Sequence, residues 1–488
     1  MARATEGLKP PLVWKYFEEI ARIPRCSKNE AAAAAYVMDK ARRLGLSASQ
    51  DRAGNVVARK PATKGFEKAP WVCLQGHLDM VCEKHPSSPH DFSKDPLELV
   101  RKGDVIMANG TTLGADNGIA VATCLAIMED RGIEHGPLEF LFTVDEETGL
   151  TGAQNLEPGF LESKTLLNLD SEEEGELYVG CAGGRDTRGA WDAQFEPVPA
   201  GMVPVQLTVG GLRGGHSGLE IDKGRGNAIK IMNRTVVQLI EMGGRLSKWN
   251  GGNKRNAIPR DSEAIVYVPK AKADAALAAV EEFSRVARAE LATAEPNLAV
   301  TGQVLKGVRG GKVFGKPVQK KLTKTIAGLP HGVIKMSADI PGLVETSTNV
   351  AVITTDKKTI DVQTSQRSSV ASEIKEIADS VRAIFELGGA KVTGSDGYPG
   401  WKPNLDSPVL KLAKKTYLEM FGKEPAVKAV HAGLECGIIG EKFPGMDMIS
   451  FGPTMAGVHS PEERLYYDSV PRFNDFLLGL LKNIARGR

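Results

Sequence analysis

Short apolar runs that alternate with helical patterns are the feature that most constrains how this 488-residue chain can fold. Strand-like runs cover residues 71–75, 138–144 and 165–169, and a fourth covers residues 446–451 near the C-terminus. Helical patterns accompany them at 12–23, 29–46 (with Asn29 as the expected N-cap), 119–130 and 408–421. Strands that alternate with helices favour an α/β fold with a mostly parallel, buried sheet and helices on both faces.

The middle of the chain has a different pattern, which predicts a second, α+β domain inserted into the first. Strand candidates lie at 203–209, 264–268 and 349–353, and helical patterns cover 227–241, 273–292 and 371–387. We therefore expect a catalytic domain formed by residues 1–184 and 396–488, with residues 185–395 as the insertion.

The sharpest charged feature lies inside this insertion, between residues 306 and 324. Its basic side chains, with no acid among them, are Lys306, Arg309, Lys312, Lys316, Lys320, Lys321 and Lys324. A phosphate-binding segment is one interpretation, but we interpret the stretch as a solvated loop interrupted by glycines.

Charge and cysteine content exclude several classes of protein. The 62 basic and 60 acidic side chains leave a net charge of +2, which argues against a dedicated nucleic-acid-binding protein. Six scattered cysteines without a Cys-x-x-Cys pair predict neither a disulfide framework nor a thiolate zinc cluster. No signal-type core and no run approaching 18 apolar residues is present, so we expect a soluble protein of a reducing compartment with no membrane partner.

Acidic and histidine side chains follow successive strand candidates at the points where those strands end. His77 follows the first run, Glu147 the second and Asp170 the third, while Asp116 lies between glycines just before a helix. Each alone is usually a turn or a helix cap. The carboxyl ends of strands in an open α/β sheet meet at the ligand crevice, however, so together these residues predict one site.

The chemistry of these side chains points to a metal centre. With His459, in a glycine-rich loop after the last strand, the set holds two histidines and three carboxylates, which suits two zinc ions, or less well manganese or cobalt. Asp79 lies two residues after His77 and can fix the tautomer of its imidazole. Glu146, beside Glu147, is then free to act as a general base, and hydrolysis of an acyl bond is the natural reaction.

These residues resemble the signature of the M20 metallopeptidase family, and within it the bacterial aminoacyl-histidine dipeptidases. The stretches that carry the resemblance span nearly the whole chain and include GTTLGADNG (110–118), LDSEEEGE (169–176), GLRGGHSG (211–218), RNAIPR (255–260), HAGLECG (431–437) and HSP (459–461). No metal or catalytic position departs from the family pattern.

The resemblance implies a role for each residue of the metal site. Asp116 would bridge two zinc ions, with Asp170 and His77 on one ion and Glu147 and His459 on the other. Asp79 would orient His77, and Glu146 would be the general base. The family also has a cis peptide after the bridging aspartate, here between Asp116 and Asn117.

The resemblance also implies substrate-binding residues. His216 would stabilise the oxyanion, in dimeric members from the neighbouring subunit; the plainer interpretation is a glycine-rich turn. Asn256 and Arg367 would bind the substrate carbonyl and its C-terminal carboxylate, although they also fit a turn cap and a surface charge. His431 and Glu435 would line the pocket and recognise the free amino group, unless they only form a tight loop.

The expected activity is therefore that of a cytoplasmic two-zinc dipeptidase, dimeric through a closing lid domain. Its substrates would be unblocked dipeptides, including Xaa-His and β-Ala-His. An N-acyl-amino-acid amidohydrolase using the same metal site is the alternative enzyme, since a deacylase differs only in having an apolar slot for the amino end. A non-catalytic scaffold would be expected only if a ligand or the base were missing.

Overall fold

The computed structural model of the protein describes residues 3–307 and 310–488. The helices are α1 (Pro11–Ala21), α2 (Ala31–Arg43), α3 (Ala115–Glu129), α4 (Glu146–Gly149), α5 (Thr151–Gln154), α6 (Ala228–Glu241), α7 (Ala273–Glu290), α8 (Lys316–Gly328), α9 (Ala371–Leu387), α10 (Pro408–Phe421), α11 (Glu435–Lys442) and α12 (Ser469–Ala485). The helices predicted at 12–23, 371–387 and 408–421 are confirmed to within two residues at each end.

The strands are given in three stretches of the chain. Up to residue 181 they are β1 (Ser47–Gln50), β2 (Val56–Lys60), β3 (Val72–His77), β4 (Leu99–Lys102), β5 (Val105–Ala108), β6 (Leu138–Thr143), β7 (Thr165–Asn168) and β8 (Glu176–Cys181). From 183 to 394 they are β9 (Gly183–Asp192), β10 (Glu196–Pro197), β11 (Met202–Gly210), β12 (Gly215–His216), β13 (Arg245–Gly251), β14 (Ala257–Ile258), β15 (Ser262–Pro269), β16 (Ala299–Val304), β17 (Lys312–Val313), β18 (Gly332–Met336), β19 (Val344–Thr355), β20 (Thr359–Ser368) and β21 (Lys391–Gly394). After 400 they are β22 (Ala426–Val430), β23 (Asp447–Ser450), β24 (Met455–Ala456) and β25 (Arg464–Tyr466).

The chain forms two compact units. The first comprises the chain up to Gly180 together with Trp401–Ala429 and Leu434–Arg488. The second comprises Cys181–Gly400 and the short segment Val430–Gly433.

The first unit contains a mixed sheet in the order β1-β2-β6-β3-β7-β23-β8-β22. The four central strands β6, β3, β7 and β23 are parallel to one another, whereas β1 pairs antiparallel with β2, β2 with β6, and β8 with β23. The predicted α/β class is confirmed, but the sheet is parallel only at its centre. Strands β3 and β6 are buried along their whole length, which explains why they appear in the sequence as continuous apolar runs.

The second unit is built on an antiparallel sheet in the order β16-β11-β15-β13-β19-β20-β9-β21, with β18 added beside β19. Its core includes the fully buried side chains of Trp249, Phe314 and Phe385. Helix α6 begins as its pattern predicts, because the Asn227 side chain accepts hydrogen bonds from the amides of Ile229 (3.0 Å) and Lys230 (3.1 Å).

Two local predictions are wrong. Glu30, and not Asn29, precedes the first turn of α2, and its side chain does not cap that helix. The basic stretch is not a loop from end to end, because residues 316–328 form α8 and bury Val318, Leu322 and Ile326 at four-residue spacing. Arg309, which the basic stretch also includes, lies outside the described residues.

The cysteine prediction also needs correction. Cys26 and Cys82, 56 residues apart, form a disulfide, whereas Cys73, Cys124, Cys181 and Cys436 are buried thiols. Sequence spacing did not reveal the pair, because the turn after β3 returns to the segment that follows α1. Across the described part of the chain, no helix combines the length and apolar character needed to cross a membrane.

Candidate active site

The parallel register brings the ends of four strands to one edge of the sheet in the first unit. Gln75 in β3 lies opposite Leu141 in β6 and Asn168 in β7, and Asn168 lies opposite Ser450 in β23. Strands β7 and β23 end two residues before the level at which β3 and β6 end, and the predicted ligands lie at or after these strand ends. The regular alternation of buried strands and connecting segments is what produces this convergence.

Two groups of potential metal ligands share Asp116. His77 Nε2 lies 3.0 Å from Asp116 Oδ1 and 3.4 Å from Asp170 Oδ1. His459 Nε2 lies 3.1 Å from Asp116 Oδ2 and 2.9 Å from Glu147 Oε2. The two carboxylate oxygens of Asp116 thus face different histidines, which is the arrangement of a bridging ligand.

Asp79 connects His77 to the segment that carries Glu146 and Glu147. Its Oδ1 lies 3.3 Å from His77 Nδ1 and accepts the Glu146 amide at 3.0 Å. Its Oδ2 accepts the Glu147 amide at 3.2 Å and the Ser27 hydroxyl at 2.7 Å. Asp79 is fully buried, so these bonds satisfy a carboxylate that has no access to water.

Backbone conformation places Asp116 and the neighbouring ligands. The predicted cis peptide between Asp116 and Asn117 is present. The Asn117 side chain accepts the His77 amide at 3.2 Å and donates to the Leu169 carbonyl at 2.9 Å, so it connects the segments of three ligands. His459 has a positive φ of 61°, which is uncommon for a residue other than glycine.

Electrostatics in the site follow from the crowding of carboxylates. Burial would lower the pKa of His77, but Asp170, Asp116 and Asp79 raise it well above its usual range. Hydrogen bonds to Asp116 and Glu147 raise the pKa of His459 to about 11.

The acids of the site respond to burial in the opposite direction. Burial raises the pKa of Asp170 to about 7 despite the nearby His77. Burial likewise raises the pKa of Glu146 well above its usual range, and the carboxylates of Asp170, Glu435 and Glu147 add to the effect while His77 opposes it. Such a concentration of negative charge is what a bound cation would neutralise.

The donor atoms fit divalent metal ions. Ligand atoms bound to zinc at about 2.0–2.2 Å in a tetrahedral arrangement lie about 3.3–3.5 Å apart, close to the 2.9–3.4 Å measured between the four pairs of donors. Imidazole nitrogens and carboxylate oxygens are ligands that zinc accepts. The buried Glu147 Oε1 has no hydrogen-bond partner among the residues described, which leaves it available to a cation.

Glu435 lies at the first turn of α11 in the same unit and is fully buried. Its Oε2 accepts hydrogen bonds from Gln75 Nε2 and from the Thr143 hydroxyl, both at 2.6 Å. Its Oε1 has no hydrogen-bond partner within the described ranges. Burial raises the pKa of this carboxyl to about 7, with the Thr143 hydrogen bond and His77 acting against the increase.

The other predicted substrate-binding residues belong to the second unit, where they cluster. His216 pairs with Ala257 across β12 and β14, which places it beside Asn256, and Arg367 Nη2 lies 3.5 Å from His216 Nε2. Asn256 is exposed, whereas Arg367 is 6% exposed and therefore is not a surface charge.

His431 lies close to the same cluster. Its carbonyl oxygen approaches Gly218, two residues after His216, so closely that a Cβ added to this glycine would lie only 2.1 Å away. Its Nε2 lies 2.7 Å from the Ser347 hydroxyl, and burial followed by Arg367 and His216 lowers its pKa to about 3. The imidazole is therefore neutral at physiological pH.

Sequence reasoning did not single out several side chains that contact the predicted residues. Ser27 binds Asp79, Asn117 connects the ligand-bearing segments, and the Tyr398 hydroxyl accepts a hydrogen bond from Arg367 Nη1 at 3.0 Å. Asn117 lies within the stretch GTTLGADNG, directly after Asp116, so its place beside a predicted ligand is a signal that could have found it. Ser27 lies 52 residues from Asp79 and gave no local signal.

Comparisons with known proteins identify the family of this chain. Residues 73–483 match the peptidase family M20/M25/M40. The chain is 41% identical to the cytosol non-specific dipeptidase of Escherichia coli over 98% of both chains. It also resembles the crystal structure of an aminoacylhistidine dipeptidase from Vibrio alginolyticus, with 40% identity, a TM-score of 0.89 and coverage of 99% of this chain and 98% of that one.

A more distant likeness extends to the fold alone. A tripeptidase structure from Staphylococcus aureus superimposes with a TM-score of 0.57 at 17% identity, over 98% of this chain and 99% of that one. The family match and the identity over nearly full length establish what class of enzyme this is: the chain belongs to the peptidase family M20/M25/M40 and is a hydrolase that acts on peptide bonds.

Proposed function

We propose that this protein is a two-zinc dipeptidase that hydrolyses unblocked dipeptides, including those of the Xaa-His type. The observation that carries the proposal is the position of Asp116, whose two oxygens face His77 and His459 at 3.0 and 3.1 Å. Asp170 and Glu147 complete the two groups of ligands. When bound there, two divalent cations would activate a water molecule and polarise the carbonyl of the scissile bond.

Glu146 is the proposed general base. Its carboxylate belongs to a group with His77 and Glu147 in which the donor atoms lie within 4.8 Å of one another, yet it is not needed to complete either pair of ligands around Asp116. It is thus close enough to take a proton from the attacking water and pass it to the leaving amine. Asp79 holds the Glu146 and Glu147 amides and orients His77, so it fixes base and ligands together.

Glu435 is the proposed acceptor for the free amino group of the substrate. A cationic amine needs an anionic partner, and the buried Glu435 Oε1 has no other partner in the described structure. A deacylase would instead need an apolar slot, so this carboxylate favours the dipeptidase over the amidohydrolase. In the second unit, Arg367 is the proposed receptor for the C-terminal carboxylate, which its planar fork can bind through two hydrogen bonds. His216 and Asn256 are the proposed ligands of the oxyanion and carbonyl, and His431 a residue of the pocket wall.

We also propose that residues 185–395 act as a lid and as the surface of a homodimer. Strand β18 supports the dimer surface, because it pairs with β19 alone among the described strands and exposes Val333, Ile334 and Met336 by 36–46%. Antiparallel pairing of Gly332–Met336 with a second copy would set Ile334 against Ile334 and Lys335 against Val333, so no like charges would oppose each other. Light scattering should give a dimer for the wild type and a monomer for Ile334→Lys, with Leu387→Lys (88% exposed) as the control.

Location and substrate range are supported by the relatives. The Escherichia coli protein is named a cytosol non-specific dipeptidase, and the Vibrio protein an aminoacylhistidine dipeptidase. We propose a cytoplasmic enzyme that cleaves Xaa-His among other dipeptides, including β-Ala-His.

The test is amine release from Ala-His, β-Ala-His and N-acetyl-Ala, with zinc and with a chelator. Chelator-sensitive cleavage of free dipeptides, with N-acetyl-Ala left intact and two zinc ions per chain by elemental analysis, is the expected result. Cleavage of N-acetyl-Ala in place of the dipeptides would make the protein a deacylase. Manganese or cobalt in the purified protein would replace zinc in the proposal.

A further inference from the structure

Four consecutive backbone amides that lead into Asp116 converge on one carboxylate. Glu463 Oε2 accepts the amides of Leu113 at 2.7 Å and Gly114 at 2.9 Å. Its Oε1 accepts the amides of Ala115 at 2.8 Å and Asp116 at 3.3 Å. Glu463 is 2% exposed, so these bonds hold the loop 113–116 without competition from water.

A buried guanidinium holds the other side of the same loop. Arg25 is also 2% exposed, and its Nη2 donates to the Gly114 carbonyl. Its Nη1 donates to the carbonyls of Leu78 at 3.0 Å and Asp79 at 2.8 Å. Arg25 therefore connects the loop that carries Asp116 to the segment that follows His77, and its charge is balanced by Glu463 and Asp79.

Two glycines, Gly114 in this loop and Gly118 just after it, accommodate the guanidinium. Gly114 has a φ of +64°, and a Cβ there would lie 2.5 Å from Arg25 Nη2. A Cβ at Gly118 would lie 2.6 Å from the same nitrogen. Both separations are far below van der Waals contact, so the backbone approaches the guanidinium as closely as a glycine allows.

We infer that Glu463 and Arg25 are positioning residues that set where Asp116 lies between the two groups of ligands. Neither residue belongs to the ligand groups found in the described residues, so both would act through Asp116. A bridging carboxylate must direct one oxygen to each side, and a rotation of the loop would favour one side at the expense of the other. This inference rests on the proposed two-metal site.

The first test is Glu463→Gln, with the neighbouring Glu462→Gln as its matched control. Glutamine keeps the size of Glu463, but it loses the charge and presents an NH₂ group to backbone N–H donors. Glu462 lies one residue away with a 62% exposed side chain, which forms an ion pair with His85 at 3.1 Å. Metal-depleted proteins are titrated with Zn²⁺ and with Co²⁺, whose visible absorption reports the ligand geometry.

We expect Glu463→Gln to bind one of its two ions 10–100-fold more weakly than the wild type, as is typical when the support of a metal ligand is removed. Its Co²⁺ spectrum should change, and kcat for Ala-His should fall while KM changes less than twofold. Glu462→Gln should match the wild type in each measurement. Wild-type affinities and an unchanged Co²⁺ spectrum in Glu463→Gln would overturn the inference.

Arg25→Lys is the second test, and it applies even if Glu463→Gln fails to fold. Lysine keeps the charge but offers one nitrogen in place of the fork that spans three carbonyls. We expect the same selective weakening of one ion, with a circular dichroism spectrum like that of the wild type. Two ions bound with wild-type affinity would contradict the role of Arg25. A wild-type protein that binds fewer than two ions would instead overturn the proposed metal site, and this inference with it.

Discussion

Replacing Glu435 by glutamine should stabilise the metal-free protein and at the same time weaken its binding of dipeptides. Glutamine is nearly the same size as glutamate, and its carbonyl oxygen can still accept the hydrogen bonds from Gln75 and Thr143. What the substitution removes is the negative charge of a fully buried side chain. That charge is costly to the fold, because burial disfavours it and the facing carboxylates of Asp170 and Asp79 repel it.

The size of the effect follows from the pKa of Glu435, which is raised from 4.5 to about 7 mainly by burial. Below pH 4.5 the group is neutral in the folded and unfolded protein, so it costs no stability. Between pH 4.5 and 7 the unfolded chain releases its proton first, and the wild type loses stability as the pH rises. Above pH 7 the loss reaches about 3 kcal/mol, or roughly 6 °C in the melting temperature of a domain of this size.

The assay is thermal unfolding of the wild type and Glu435→Gln between pH 4 and 8, with a chelator present so that metal binding does not contribute. The two proteins should melt together near pH 4 and separate above it, with Glu435→Gln the more stable. Glu441→Gln, on the exposed part of the same helix α11, should follow the wild type at every pH. Equal stability of wild type and Glu435→Gln at pH 8 would refute the reasoning. In zinc-loaded protein, the same substitution should raise KM for Ala-His.

Three further predictions concern other parts of the molecule. Glu146→Ala should keep both metal ions by elemental analysis, but its kcat should fall by about 10²–10⁴-fold. Turnover close to that of the wild type would show that another group is the base. Arg367→Lys should raise KM for dipeptides about 10-fold or more with a smaller change in kcat, since lysine cannot form the paired hydrogen bonds, and an unchanged KM would place the carboxylate elsewhere. Under denaturing conditions four thiols should react before reduction and six after it, and six reactive thiols at the start would mean that the Cys26–Cys82 bond is absent. Reduction should lower the free energy of unfolding by about 4 kcal/mol, because the bond closes a 56-residue loop.

Local patterns were sufficient to predict much of the first unit. Strand β3 could be located because it is a short, continuous apolar run, and helix α10 because its buried side chains recur with the helical period. Helix α8 was missed for the converse reason. Its lysines dominate the composition, and they hide the four-residue spacing of Val318, Leu322 and Ile326.

Long-range pairing could not be predicted in this way. The order of the sheet places β23, from the C-terminal part of the chain, next to β7, and it pairs β2 and β8 antiparallel with the central strands. No periodicity within a strand determines which strand will lie beside it. The disulfide between Cys26 and Cys82 depends on the same kind of long-range proximity.

The same distinction between local pattern and long-range contact applies to the candidate active site. The sequence by itself determined which side chains can bind metal ions and move protons, because their chemistry and their places after buried strands can be recognised without coordinates. Only the tertiary structure decided which oxygen of Asp116 faces which histidine, and that Ser27, Arg25 and Glu463 hold the surrounding segments. These supporting contacts join residues 52 to 350 positions apart in the chain, and they exist only when folding brings those residues together.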